Sequence, residues 1–288
     1  MKRQGLLISA VVIIILASLL FAPFRGRPYV QLLFSSKYIL YAVAGMVAIT
    51  LLAAKRVTKP VRLAFLLIFF YIFGVAIGIH PSPLCALTKA PLRYHLSGFI
   101  PPPMMVTGAV MLLLTVIGNK VFCGWICPLG CMQEAVYLIS RRPRKVKCSF
   151  FASNAVRSSL VGIFILGIFS WKGNIYDFFN PFEIFHWHFT LPLIVIISLV
   201  LAASLLLYRP FCQFVCPAGL LTWIFEHTSL FAVRKNEKRC TNCRQCIKAG
   251  PCNAIEAIVD SRQIVPDCFA CGACITSCPE DALTFSLK

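Results

Sequence analysis

Hydrophobic positions fall into six long runs along the chain, at about 5–22, 38–54, 61–79, 104–121, 155–171 and 189–208. Each run approaches the roughly 20 residues that an α-helix needs to cross a bilayer. The first run is longer than the apolar part of a signal peptide, and "FAPFRGR" after it is a poor cleavage site, so we interpret it as a retained span. The pattern predicts a polytopic α-helical membrane protein with about six spans.

Positively charged residues set the expected orientation of these spans. With the N-terminus inside, the inner segments contain 14 lysine and arginine residues and the outer loops contain 6. The runs "KRVTKPVR" and "RRPRKVK" contribute most to the inner count. Because short cytoplasmic loops carry the excess of lysine and arginine, we expect a multi-pass protein of the bacterial inner membrane with both termini in the cytoplasm.

Composition agrees with a membrane protein and narrows the class of partner. Of the 288 residues, 59% are hydrophobic and only 13% are charged, whereas soluble domains contain about 25% charged residues. The formal net charge of +18 would suit a nucleic-acid-binding protein, but no basic face interleaved with aromatic residues occurs in the sequence. The basic residues instead crowd short loops, so membrane lipid, and not nucleic acid, is the expected partner.

The end of the chain is polar and rich in cysteine, with eight of the fifteen cysteines in the last 49 residues. Cys268, Cys271, Cys274 and Cys278, followed by Pro279, form a C-x2-C-x2-C-x3-C-P run. This run binds cubane clusters in bacterial ferredoxins. A zinc site would instead pair two C-x2-C units across a longer gap. The run therefore predicts iron–sulfur clusters.

The preceding cysteine run departs from this spacing. Cys240, Cys243 and Cys246 are regularly spaced, but Gly250 stands at the expected fourth position and the next cysteine is Cys252. Two interpretations follow. Either Cys252 is the fourth ligand through a longer turn, or one cluster lacks a fourth thiolate and is a three-iron [3Fe-4S] cluster or a labile one.

In two-cluster ferredoxins, the fourth cysteine of a run ligates the other cluster. Two [4Fe-4S] clusters are therefore predicted, cluster one on Cys240, Cys243, Cys246 and Cys278, and cluster two on Cys268, Cys271, Cys274 and Cys252. Under this assignment the departure at Gly250 concerns cluster two. A domain of about 55 residues buries little apolar surface, so cluster ligation is expected to supply much of its stability.

A different cysteine pattern occurs twice, each time after an apolar run. The segments "KVFCGWICPLG" at 120–130 and "RPFCQFVCPAG" at 209–219 align at an offset of 89 residues. Each leads into a segment of mixed apolar and polar residues, with Pro128 or Pro217 suited to the first turn of a helix. The pattern predicts an internal repeat of span, cysteine pair and interfacial helix.

The four cysteines of this repeat converge if the two halves pack with pseudo-symmetry. They are Cys123, Cys127, Cys212 and Cys216. Four thiolates suit a third iron–sulfur cluster or another metal site, a redox dithiol is a second interpretation, and buried apolar cysteines are a third. Cys85, Cys131 and Cys148 have no counterpart in the repeat and are interpreted as structural.

Taken together, these motifs resemble the membrane-bound ferredoxin-type proteins of the NapH and MauN group. The resemblance rests on the two C-x3-C-P pairs, the tandem cysteine runs and the segment "NIYDFFNPFEIF" before the last span, and it covers about 61–288. On this basis the chain divides into an additional two-span segment at 1–60, a four-span core at 61–233 and a small α+β 2[4Fe-4S] ferredoxin-like domain at 234–288.

The resemblance implies an electron-transfer subunit, the membrane component of a quinol dehydrogenase. Such a subunit relays electrons from membrane quinol towards a periplasmic reductase, such as nitrate reductase, together with a separate ferredoxin-type partner protein. The alternative is an iron–sulfur reductase that matures a metal centre or cofactor of a partner oxidoreductase. A third hypothesis is a non-catalytic anchor for a reductase complex.

A quinol-oxidising site needs a proton acceptor near the membrane surface. The candidates at the predicted outer face are His80, His186 and His188, with His95 as a further histidine there. Histidine and aromatic residues also occur in ordinary interfacial belts, which is the alternative interpretation. No clear pair of histidines lies within the spans, as haem b would require.

Overall fold

The apolar runs form helices in a computed structural model of the chain, which describes residues 13, 23–24, 27–28, 35–140, 146 and 148–288. The α-helices, in chain order, are α1 (Ser36–Ala53), α2 (Lys59–Phe70), α3 (Pro83–Ser97), α4 (Pro102–Gly118), α5 (Pro128–Ile139), α6 (Phe150–Ser170), α7 (Leu191–Ser204), α8 (Pro210–Phe214), α9 (Pro217–Glu226), α10 (Gln245–Ala249), α11 (Ala254–Val259) and α12 (Ala273–Thr276). The strands are β1 (Pro23–Phe24), β2 (Arg27–Pro28), β3 (Phe231–Lys235) and β4 (Leu283–Leu287). The fold is therefore mostly helical.

Three helices in the described part of the chain are long and apolar enough to cross a membrane. They are α1, α2 with its π-helical continuation to Ala76, and α6. The apolar helices α4 and α7 are shorter, with 17 and 14 residues. The predicted run 5–22 lies outside the described residues, except for residue 13. A membrane protein is thus supported, while the count of six spans stays a prediction.

Helix α3 lies in a segment that was predicted to be an outer loop. The Ser82 side chain accepts a hydrogen bond from the backbone N–H of Cys85 at 3.1 Å, and Pro83 begins the helix. Gly98 ends it with a φ of 67°, in the left-handed region that glycine adopts without strain. The helix was missed because its residues are too polar for a span, although both capping signals are present in the sequence.

The two C-x3-C-P segments have the local structure that the repeat predicted. A π-helical turn, Phe122–Ile126, precedes α5, and the short helix α8 precedes α9. Pro128 and Pro217 occupy the first turns of α5 and α9, which confirms that prediction. The helices differ from the predicted interfacial type, because their polar residues Glu134 and Glu226 are buried rather than facing solvent.

The cysteine-rich end folds between two paired strands. Strands β3 and β4 form an antiparallel two-stranded sheet, with α10, α11 and α12 between them along the chain. This part also packs against the apolar helices, since the backbone N–H of Leu230 donates to the carbonyl of Val116 at 2.7 Å. The Trp223 indole N–H, in α9, donates to the carbonyl of Val265 at 3.0 Å. These contacts position the C-terminal cysteines against the repeat.

Candidate iron–sulfur sites

Two cavities in the C-terminal part are each lined by four cysteines. The first contains Cys240, Cys243, Cys246 and Cys278. The second contains Cys252, Cys268, Cys271 and Cys274. These are the two sets that the crossed ligand rule assigns to clusters one and two. Cys243 is exposed at the surface, whereas the three cysteines of the second run in the second cavity are buried.

The position of Cys252 bears on the irregular spacing of the first run. Helix α10 ends at Ala249, and Gly250 and Pro251 carry the chain to Cys252 at the edge of the second cavity. A Cβ atom on Gly250 would approach the Ile255 side chain at 2.9 Å and the Cys246 carbonyl at 3.0 Å, so the turn packs closely at this position. The longer turn therefore brings a fourth thiol to the second cavity.

The cysteine spacing, and not a preformed metal geometry, indicates which group the C-terminal thiols bind. Within the described ranges, no three Cys, His, Asp or Glu side chains lie close enough together to hold one metal ion. The same holds for the C-x2-C-x2-C-x3-C-P run that begins at Cys268. The spacing of that run is typical of cubane ligands. A zinc ion needs thiolates about 2.3 Å from one centre, whereas a cubane spreads its thiolates around four irons. The assignment of the C-terminal sites to iron–sulfur clusters therefore rests on the cysteine spacing.

The four cysteines of the internal repeat come together in the core. Cys127 lies within electrostatic range of Cys212 and Cys123, and Cys216 lies within range of the same two thiols. All four are buried, with at most 9% of each residue exposed. The structure therefore places the two C-x3-C-P pairs at one site, which we call the four-cysteine site.

Matched glycines make the same close contact in the two halves of this site. A Cβ atom on Gly130 would approach the Cys123 carbonyl oxygen at 2.7 Å. A Cβ atom on Gly219 would collide with the Cys212 carbonyl oxygen in the same way. The first turn of α5 and of α9 therefore packs directly on the first cysteine of its own repeat. This close approach explains why both repeats carry glycine three residues after the second cysteine.

Basic residues cross between the two repeats. Arg209, from the second repeat, donates hydrogen bonds to the carbonyls of Cys123 and Gly124 in the first. Lys120, from the first repeat, donates to the carbonyl of Gly219 in the second at 3.1 Å. Arg157 of α6 donates to the Cys212 carbonyl at 3.2 Å. The backbone carbonyls around the cysteines are thus held by buried cations.

Buried acids pair with these cations. Glu134 accepts hydrogen bonds from Arg62, Arg209 and Tyr208 at 2.6–3.0 Å. Burial by itself would raise the pKa of Glu134, but the two arginines outweigh it and hold that pKa below its usual value. Burial together with nearby Asp267 raises the pKa of Glu226, against the opposing effect of Lys120.

The charges around the four-cysteine site do not balance. The buried cations among the described residues there are Arg62, Lys120, Arg157 and Arg209, and the buried acids are Glu134, Glu226 and Asp267. Uncompensated buried charge is costly. A cluster held by four thiolates is anionic, so the surplus of positive charge fits such a group.

Two tyrosine hydroxyls at the site make no hydrogen bond within the described part of the chain. They belong to Tyr41 in α1 and Tyr176 in the turn after α6, and both residues are fully buried. Tyr41 lies within electrostatic range of Cys127, and Tyr176 lies within range of Cys216. Buried hydroxyls normally have a partner, so these two fit hydrogen bonds to the sulfur atoms of a bound cluster.

The loop before Cys271 packs directly on the four-cysteine site. A Cβ atom on Gly124 would collide with the Phe269 carbonyl oxygen, and the Trp125 indole N–H donates to the Ala270 carbonyl at 2.9 Å. Asp267 forms ion pairs with Lys120 and with Arg157. Neither Asp267 nor Trp125 was identified as a site residue from the sequence. One sequence feature could have identified Asp267 as a site residue. It directly precedes Cys268 and is one of only ten acidic residues in the chain.

Two of the four histidine candidates contact each other, and the other two lie elsewhere. The rings of His80 and His186 are in edge-to-face contact, with centroids 4.8 Å apart. Burial, His186 and Lys37 lower the pKa of His80, so its imidazole is neutral at pH 7. His188 is exposed, and His95 lies against Phe169 instead. Sequence alone gave no means of choosing between these histidines.

A family model described as "4Fe-4S binding domain" matches residues 100–147 and 188–236, the two segments that contain the C-x3-C-P pairs. The chain is 26% identical to YccM of Escherichia coli over 68% of this chain and 60% of YccM. It is 24% identical to the ferredoxin-type protein NapH of the same organism, over 67% of this chain and 71% of NapH.

A third relative is the methylamine utilization ferredoxin-type protein MauN of Methylorubrum extorquens. The identity is 25% over 54% of this chain and 57% of MauN. The chain thus spans somewhat less than two thirds of YccM and of MauN. No solved structure matches it.

Proposed function

We propose that this chain, which is similar to the ferredoxin-type proteins NapH and MauN, relays electrons from membrane quinol through a four-cysteine iron–sulfur site to two C-terminal clusters. The observation that carries this proposal is a continuous series of packed residues from the His80–His186 pair to the exposed Cys243. The names of these relatives agree with iron–sulfur electron transfer. The use of quinol as electron donor and the direction of electron transfer are part of the proposal.

The first part of the series joins the histidine pair to the four-cysteine site. Phe185, the neighbour of His186, packs on Gly74 in the π-helical continuation of α2, where a Cβ atom would approach the ring at 2.9 Å. Pro128 lies 3.1 Å from the same Cβ position. Pro128 directly follows Cys127. Three residues, Phe185, Gly74 and Pro128, therefore connect His186 to Cys127.

The second part joins the four-cysteine site to the clusters. Gly124 and Trp125 lie between Cys123 and Cys127, and they contact Phe269 and Ala270 directly before Cys271. Within the C-terminal part, Cys274 lies within electrostatic range of Cys246, so the two cavities are adjacent. Cys243 brings the series to the protein surface, where a soluble partner can exchange electrons.

The chemistry at the histidine end is proton removal. When bound, iron–sulfur clusters accept one electron at a time, and quinol oxidation also releases protons. The neutral His80 imidazole can accept such a proton. Glu183, which lies with Lys89 and Asp177 in a partly exposed ion-pair group, offers a route for the proton to the surface.

Removal of the histidine pair is the test of this proposal. Addition of a short-chain quinol to the purified, cluster-loaded protein is expected to bleach the cluster absorbance. Replacing His80 and His186 by glutamine should slow the bleaching about 100-fold, as expected for loss of a general base. The matched control His188→Gln removes an exposed histidine without a ring partner and should leave the rate within about twofold. Equal rates in all three proteins would overturn the proposed quinol site.

Hydrogen bonds from the tyrosine pair should tune the four-cysteine site. Tyr41→Phe and Tyr176→Phe each remove one buried hydroxyl beside a cysteine. Loss of a hydrogen bond to sulfur makes reduction less favourable. The reduction potential of the proposed cluster at the four-cysteine site is therefore expected to become more negative, with iron content unchanged. The control is Tyr71→Phe, since Tyr71 is 61% exposed on α2. EPR-monitored redox titration measures the shift, and identical potentials in all variants would contradict the assignment.

The partners belong to the proposal as well. We propose a ferredoxin-type partner protein and a reductase outside the inner membrane, of the nitrate reductase type, as the resemblance to the NapH and MauN group implies. With both termini in the cytoplasm, the exposed Cys243 would face a cytoplasmic protein. That exposure favours a second function, in which the chain reduces a metal centre or cofactor of a partner oxidoreductase during its maturation.

A further inference from the structure

We propose that Lys37, in the first turn of α1, is a positioning residue for His80: it fixes the backbone of His80 and keeps its imidazole able to accept a proton. This inference rests on the proposed function, in which His80 is the proton acceptor of quinol oxidation. From the sequence, Lys37 was only one of six cations in the predicted outer loops. Neither Lys37 nor His80 lies in the segments that the family model matches.

A hydrogen bond joins the two residues across 43 positions of the chain. The Lys37 ammonium donates to the backbone carbonyl of His80 at 2.6 Å, and an ammonium makes a stronger hydrogen bond than a neutral donor. Residues 77–82 around His80 form neither helix nor strand, and Gly78 turns the backbone there with a φ of 71°. The contact therefore holds the His80 backbone where regular hydrogen bonding does not.

Lys37 is itself held by the helical core. Its side chain is well buried, with only 9% of the residue exposed. The ammonium lies 5.7 Å from the centroid of the Tyr41 ring, which suits a cation–π contact. The hydroxyl of the neighbouring Tyr38 forms a hydrogen bond with that of Thr107 at 2.9 Å, which ties the start of α1 to α4. The hydrogen bond to His80 thus comes from a fixed point of the fold.

The positive charge of Lys37 is not balanced by a carboxylate. Within the described ranges, no acidic side chain forms an ion pair with it. The acids Asp177 and Glu183 pair with Lys89 instead. A buried ammonium without an anion is costly, and such local costs are expected at functional sites. The charge of Lys37 is therefore available to act on His80.

The charged and titratable groups that face His80 act in opposite directions. Burial and three neighbouring groups lower the pKa of His80: His186, Lys37 and Lys89. Glu183 raises that pKa. Because Lys89 and Glu183 form an ion pair, their effects on His80 partly cancel. Lys37 has no such counterpart, and a nearby positive charge disfavours the imidazolium. Removal of the Lys37 charge should therefore raise the pKa of His80 and leave less of its imidazole neutral in the range where histidine titrates.

The test compares Lys37→Met with Lys37→Arg in the full-length, cluster-loaded protein. Methionine removes the charge and the donor, whereas arginine keeps both. The control Lys172→Met removes an exposed cation from the turn after α6. An NMR titration of ring-labelled histidine measures the protonation of His80 without any quinol, and the His80 signal is assigned by its absence in His80→Gln. Lys37→Met should raise the pKa of His80, while the arginine variant and the control should leave it as in wild type.

Cluster bleaching by a short-chain quinol gives the second readout. In Lys37→Met the maximal rate should fall about tenfold, with the half-saturating quinol concentration within about twofold, because the base is misplaced while quinol still binds. The acid limb of the pH profile should move to higher pH, so that the rate at pH 6 relative to that at pH 8 falls about twofold further than in wild type. Lys37→Arg should restore the rate and the profile.

Three results would count against these roles or separate them from the quinol site. An unchanged pKa of His80 together with an unchanged pH profile in Lys37→Met would overturn the inference. A slower rate with the pKa and the profile unchanged would assign Lys37 to packing alone and would overturn it equally. If quinol does not bleach the wild-type clusters, the proposed quinol function fails, and the NMR titration still decides whether Lys37 acts on His80.

Discussion

Replacing Cys127 by serine is expected to stop quinol-driven reduction of the C-terminal clusters as completely as replacing Cys127 and Cys216 together. Both thiols lie within electrostatic range of the same two cysteines, Cys123 and Cys212. Residues that act as one unit give losses that do not add. We expect a loss of roughly 100-fold or more for the single change, with little further loss for the double.

The measurement is the rate of cluster reduction by a short-chain quinol in membranes that contain each variant. EPR of the chemically reduced protein should show that the C-terminal clusters remain in the Cys127→Ser variant. Cys148→Ser is the control, because Cys148 contributes its backbone carbonyl, and not its thiol, to a bond with Asn253. If the losses from Cys127 and Cys216 multiply, the two pairs act separately. If neither change matters, the four cysteines only fill the core.

Replacing Glu134 by glutamine is expected to destabilise the protein by about 3–5 kcal/mol, the range found when one partner of a buried ion pair is removed. Glu134 is 1% exposed and accepts hydrogen bonds from Arg62 and Arg209. Glutamine keeps the shape but removes the negative charge, which leaves two buried guanidinium groups without an anion. The same arginines hold the carbonyls of Cys123 and Gly124, so the four-cysteine site should loosen as well.

The temperature at which half of the cluster absorbance is lost in detergent measures this effect. The control Glu237→Gln removes the same charge from a side chain that is 69% exposed and paired with Lys235. Exposed ion pairs contribute about 0–1 kcal/mol, so the control should remain close to wild type. A Glu134→Gln protein as stable as the control would show that the network around Arg209 does not hold the repeat together.

Much of the site could be predicted from cysteine spacing and from the repeat. The offset of 89 residues correctly identified Pro128 and Pro217 as helix starts. It also led to the hypothesis that Cys123, Cys127, Cys212 and Cys216 converge, and all four are buried in the core of the structure. Such predictions succeed because they depend on local geometry and on symmetry between segments of the same chain. They need no knowledge of how distant segments pack.

The packing between segments was beyond reach of the sequence. Lys120, Arg157 and Arg209 counted as cytoplasmic loop charges when the orientation was predicted, but all three are fully buried and paired with acids. Arg62 is buried in the same way. The ten other inner lysines and arginines still outnumber the six at the outer side, so the expected orientation stands. The four buried cations have a different role, because they lie at the four-cysteine site and donate to backbone carbonyls of its cysteines or glycines.

The contact between the repeat and the C-terminal part was likewise invisible in the sequence. Gly124 looks like an ordinary glycine between two cysteines, yet its missing side chain makes room for the Phe269 carbonyl. Asp267 looks like a surface acid before a cluster loop, yet it bridges Lys120 and Arg157. Partners separated by more than 100 residues leave no pattern in a single sequence. These contacts turn two neighbouring sets of cysteines into one proposed path.

The most direct test of a third cluster at the four-cysteine site is the iron and acid-labile sulfide content of the purified full-length protein. Three cubanes predict about twelve iron atoms per chain. The Cys127→Ser variant should fall to about eight, while the EPR signals of clusters one and two persist. A wild-type content of about eight, unchanged in Cys127→Ser, would contradict the account, because the four buried thiols would then hold no cluster and the proposed path would be broken at its centre.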